Sequence, residues 1–166
     1  MPKTKKLALM AVLTAIALTI FMLEAQLPAP VPIPGVKLGL ANIVTLTAML
    51  ILGRREAGAI LAARIVMGAV FAGNPSAMLY SAAGGVLAYA AMCLLAGVVP
   101  EKRLWAVSAV SAVAHNMGQL LACVLVVKTP GVFIYVPALI VSGVITGVFT
   151  GFGAMYLVRA LRKLKL

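Results

Sequence analysis

Apolar residues fill six long runs of the chain, Leu7–Leu23, Leu38–Leu52, Ala57–Ala72, Ala77–Val99, Leu104–Val127 and Phe133–Val158. Between them stand EAQLPAPVPIPGVK, GRRE, GNPS, PEKR and KTPG, each with the glycine, proline or charge that ends a helix. A helix crossing a bilayer needs roughly 20 apolar residues, so six crossings use most of the chain and leave only connections. The pattern predicts an all-α integral membrane protein, one bundle of six transmembrane helices over residues 1–166. The second run is the shortest, about 15 residues or ~22 Å of helix, and is expected to continue into half-buried loop.

Composition agrees with the pattern. Of 166 residues, 64% are hydrophobic and 10% charged, and the mean hydropathy is +1.15. A soluble domain is about half apolar and a quarter charged, so the surroundings of this chain are lipid.

The net charge of +11 would suggest nucleic acid in a soluble protein; here its distribution gives another reading. With the amino terminus in the cytoplasm, the inner segments hold Lys3, Lys5, Lys6, Arg54, Arg55, Lys102, Arg103, Arg159, Arg162, Lys163 and Lys165, and the outer ones only Lys37 and Lys128. That asymmetry follows the positive-inside rule. Both termini are therefore expected to be cytoplasmic, with no nucleic-acid partner. The first run follows three lysines as a signal peptide would, but its core is long for one and LEAQLPAP lacks a small-x-small cleavage site. It is read as a retained span.

Little catalytic material remains. There is no aspartate, and Glu24, Glu56 and Glu101 fall at span ends in different loops, so paired-carboxylate catalysis and dense magnesium binding lack their ligands. His115 has no nucleophile motif beside it, and no Walker loop is present. Cys93 and Cys123 lie in separate spans without CxxC or histidine spacing, so they read as packing residues. No enzyme activity, metal or cofactor is expected.

Function is then sought among polar groups at membrane depth, where they are costly and face a cavity or partner. Arg64 lies about halfway along the third run, with no acidic residue expected at its depth, and so calls for an anion; a structural pair with a carboxylate or with helix carbonyls is the alternative. In the fifth, SAVSAVAHNMGQLLAC places Ser108, Ser111, His115 and Gln119 at steps of three or four, one helix face. Asn116 lies ~100° further round. The serines read as interhelical hydrogen-bonding groups; His115, Asn116 and Gln119 read as a ligand site, with the same interhelical bonding as the alternative.

Small residues mark packing faces. Gly143, Gly147 and Gly151 recur every four residues in the sixth run, a spacing that lets helix backbones approach closely. Ala8, Ala11 and Ala15 make a smooth strip on the first, whose partner need not lie in this chain. Pro28, Pro30, Pro32 and Pro34 hold an extended segment, read as a stiff lid-like loop, 24–37, across the outer mouth. Lys37 sits at its rim and Asn42 about a turn below. Together with Arg64 this describes a binding pocket better than an open pore; an ordinary rigid connector is the alternative.

PGVKLGLANIVTL, AARIVMG, YSAAGG and HNMGQL resemble the small bacterial membrane family labelled Gx transporter or heptaprenyl diphosphate synthase component I, over nearly the whole chain. That family is related to the substrate-binding S components of energy-coupling factor (ECF) vitamin transporters. The resemblance implies a six-helix S-component-like fold, and a loop after the first helix that closes over the ligand. It also implies that an AxxxA pattern, here Ala11 and Ala15, docks onto a membrane coupling subunit driven by two ABC ATPases. The expected substrate-binding residues are Lys37, Asn42, Arg64, His115, Asn116 and Gln119, around a small, acidic vitamin- or isoprenoid-related molecule.

The synthase label implies aspartate-rich, magnesium-binding motifs that this chain lacks, so the alternative function is a non-catalytic accessory subunit partnering a polyprenyl synthase. A secondary transporter is disfavoured, since no inverted repeat or carboxylate relay is evident. The expected location is the bacterial cytoplasmic membrane, crossed several times.

Overall fold

The computed structural model describes residues 2–27, 37–73 and 75–163. Among them run six α-helices: α1 (Lys3–Glu24), α2 (Asn42–Ile51), α3 (Arg54–Ala72), α4 (Pro75–Leu95), α5 (Leu104–Val127) and α6 (Val136–Lys163). Short 3-10 turns at Glu101–Arg103 and Pro130–Tyr135 lead into α5 and α6. The proline segment 28–34, read above as a lid, lies outside the described residues, as does Gly35.

Helix ends fall where local chemistry sets them. Gly53, at φ +109°, makes the tight link from α2 into α3, a conformation open to glycine and strained for other residues. Gly73, in the left-handed region, closes α3, and its N–H donates to the Val70 carbonyl at 3.2 Å.

The helices α1, α4, α5 and α6 are each long and apolar enough to cross a membrane. The other two are not. At 10 residues, α2 spans only ~15 Å, half the hydrocarbon thickness. The third helix has the length, but it opens on Arg54, Arg55 and Glu56 and carries Arg64. The six expected spans are thus all present as helices among the described residues, the second short as expected, and four of them are long and apolar enough to cross on their own.

Packing follows side-chain size. The central α2 is buried along most of its length, Val44, Leu46 and Ala48 meeting Leu13, Ile60 and Met92. Along α5 and α6, a Cβ added at Gly147 would lie 2.4 Å from the Ala109 Cα, and one at Gly151 2.4 Å from the Trp105 Cα. These glycines set how close the two helices come. Ser108 and Thr150 share a hydrogen bond across the same interface at 2.9 Å, the interhelical role expected for Ser108.

Outward, the bundle is apolar: Val70, Leu125, Ile134 and Phe149 are 71–78% exposed, which suits a lipid surface rather than water. Charges gather at one end. Lys6 pairs with Glu56 and Arg162 with Glu101, Gly97 abuts Arg54, and Tyr89 donates to the Arg54 carbonyl at 2.7 Å. The start of α1, the α2–α3 link, the α4–α5 connection and the end of α6 therefore share a basic face.

Candidate functional site

Away from that basic face, four helices and the chain leading into α2 converge on a cavity of about 20 Å³ lined by Phe21, Glu24, Lys37, Gly39, Arg64, Ser81, His115 and Gln119. Arg64 stands ten residues, ~15 Å, along α3, so the cavity lies deep within the bundle. Room of this size admits about one water.

Each wall has a local cause. Phe21 and Glu24 form the last turn of α1. His115 and Gln119, four residues apart, share a face of α5, and Ser81 faces them from α4. At the start of α2 the backbone itself enters: the Gly39 N–H donates to the Glu24 carboxylate, and the Lys37 N–H to Gln119 Oε1 at 3.1 Å. Gly39 has φ +78°, and a Cβ there would lie 3.0 Å from the His115 ring and 3.1 Å from Asn42 Nδ2. Glycine is what lets this backbone lie on the imidazole.

Two cations share one aromatic ring. Lys37 Nζ sits 3.5 Å from the Phe21 centroid and Arg64 Cζ 5.6 Å from it, within cation–π range. Burial holds the Lys37 ammonium below the usual lysine range, with the Glu24 charge opposing and Arg64 adding to the depression.

Arg64 is 3% exposed, and Nη1 reaches Ser81 Oγ only at 3.5 Å. Its Nε and Nη2 have no hydrogen-bond partner. Buried donors are normally satisfied, so these groups await an acceptor.

Of the expected binding residues, Lys37, Arg64, His115 and Gln119 meet at this cavity, and Asn42 and Asn116 do not line it. Asn116 Nδ2 donates to the Leu139 carbonyl at 2.8 Å, tying α5 to α6. Asn42 is buried behind Gly39, its Nδ2 unpartnered. The expectation that no carboxylate lies at the depth of Arg64 is corrected: Glu24 is 5% exposed and lines the same cavity. Its place at the end of the first apolar run, directly before the prolines, was the available signal. Phe21, Gly39 and Ser81 had none beyond position. On α1, Ala8, Ala11 and Ala15 lie on an exposed face.

An apolar exterior, four helices long and apolar enough to cross a membrane and a buried cluster of charged and amide groups define an all-helical membrane protein with an internal polar site. The family model described as heptaprenyl diphosphate synthase component I matches residues 13–157. The chain belongs to that family, and the match takes in every residue of the cavity. Comparison with curated proteins and with solved structures gave no match.

Proposed function

We propose that this chain is the substrate-binding membrane subunit, an S component, of an ECF-type ABC importer, and that it captures a small anionic molecule of vitamin- or isoprenoid-related chemistry. The observation that carries this reading is the Arg64 guanidinium, buried at depth with two donors unpartnered in a cavity shared with Lys37, His115 and Gln119. Charge kept at such depth without a direct counter-ion is expensive, and its usual reason is a ligand or transport path. Ligand-sized pockets run to ~300 Å³ or more, so loading requires the walls to part from the closed state described.

The chain has no catalytic role in this reading. ATP hydrolysis belongs to two partner ATPases, acting through a membrane coupling subunit docked on the Ala11 and Ala15 face of α1, which is exposed among the described residues. The basic face lies in the cytoplasm of a bacterial cell, as the positive-inside rule has it, and the cavity is loaded from outside.

A second reading makes the chain a membrane accessory to polyprenyl diphosphate synthesis. It is supported by the family description and by an apolar groove of about 480 Å³ between α4 and α5, walled by Leu79, Val86, Leu121 and Leu125.

Affinity purification of the tagged chain from its host in mild detergent, alongside Ala11→Trp, separates the two. Recovery of a coupling subunit and two ATPases with the wild type, and their loss with the variant, supports the importer. Recovery of a prenyl synthase without ATPases replaces it with the accessory role.

A further inference from the structure

Resting on the reading of the Arg64 cavity as a ligand site, we infer that the group it takes is a carboxylate monoanion rather than a phosphate ester or diphosphate, and that Glu24 is the residue that sets this limit.

Geometry gives the first half of the argument. The unpartnered atoms of Arg64 are Nε and Nη2, which lie on one edge of the guanidinium and present two parallel N–H groups. That edge matches a pair of oxygens held in a plane, as in a carboxylate. The opposite nitrogen, Nη1, is turned to Ser81, so the free edge is the one left to a ligand.

Charge gives the second half. Glu24, Lys37 and Arg64 line one cavity and sum to a single positive charge. Among the described residues the ion pairs are Lys6–Glu56 and Arg162–Glu101, so Glu24 does not cancel Arg64 by contact. Its carboxylate is instead engaged by the backbone N–H of Gly39. One bound negative charge brings the sum of these three groups to zero. A phosphate ester or diphosphate brings two or more, and the surplus stays uncompensated beside the Glu24 carboxylate in apolar surroundings, where an unpaired charge is costly.

The test is thermal unfolding of the purified full chain in detergent at about pH 8, above the second phosphate pKa, with formate, acetate, inorganic phosphate or pyrophosphate at equal ionic strength. Three proteins are compared: wild type, Glu24→Gln and Arg64→Lys. Glutamine keeps an oxygen for the Gly39 N–H while removing the charge; lysine keeps the charge while removing the two-pronged edge.

Formate and acetate are expected to raise the wild-type midpoint by about 3 °C, with phosphate and pyrophosphate giving no rise. In Glu24→Gln the order reverses, and in Arg64→Lys the carboxylate rise is lost. A wild-type rise with pyrophosphate equal to that with acetate, lost in Arg64→Lys, overturns the charge limit and leaves the anion site standing. A response to no anion, or one unchanged in Arg64→Lys, overturns both.

Discussion

The carboxylate of Glu24, at the end of α1, holds the backbone N–H of Gly39 ahead of α2, so the two ends of the first connection meet beside Arg64. This contact closes the cavity on the side where the chain is not helical, and it places a negative charge next to two positive ones. Most of what the site is expected to do follows from that arrangement.

Replacing Arg64 separates binding from folding. If its free edge holds an anion, Arg64→Ala loses charge-assisted hydrogen bonds of about 1.5–3 kcal/mol, roughly ten- to hundredfold in affinity. Small anions extracted from the wild-type protein purified from its host should be missing from the variant, which still elutes as a single species in detergent. Equal recovery from both proteins counts against the assignment.

Gly39 should tolerate no side chain. With φ +78° and the His115 ring 3.0 Å from where a Cβ would stand, Gly39→Ala is expected to cost about 1–3 kcal/mol. Thermal unfolding in detergent measures it, and a midpoint equal to wild type would show that the backbone there relaxes freely.

Two glycines of α6 make a matched pair. At Gly147 an added methyl meets the α5 backbone at Ala109, whereas at Gly153 it meets the Ile43 side chain, most closely its terminal Cδ1. The backbone cannot step aside and a terminal methyl can, so Gly147→Ala should destabilise by about 1–3 kcal/mol and Gly153→Ala by clearly less. Parallel unfolding curves decide it; equal losses would contradict the close α5–α6 approach.

On α1, Ala11→Trp should leave the isolated chain as stable as wild type, within about 0.5 kcal/mol, because Ala11 is exposed. It should abolish recovery of a coupling subunit. Undiminished assembly with the variant removes α1 as the docking face.

Helix count and order were legible because apolar runs and their interruptions report them directly; α5 begins and ends where its run does, at Leu104 and Val127. The short second span continuing into half-buried loop was legible too, but not what holds that loop: the non-helical chain before α2 lodges against Glu24 and Gln119. In α5 the helical angle decided the outcome: His115 and Gln119 share the cavity face, while Asn116, one step round, turns to α6. Glu24 escaped because a carboxylate at the end of an apolar run looks like a loop residue until α2 folds back over it.

The stub-like α2 constrains how such a site diversifies. Because it stops at half depth, peptide groups at 37 and 39 lie inside the bundle and draw their hydrogen bonds from Gln119 and Glu24. Those two side chains thus hold the scaffold while lining the cavity, and removing either acceptor leaves a buried peptide N–H unpaired. Ser81 and His115, which line the same space from α4 and α5, carry no such obligation to the backbone at 37 and 39. The cavity wall can therefore vary at Ser81 without breaking the hydrogen bonds that hold the entry to α2.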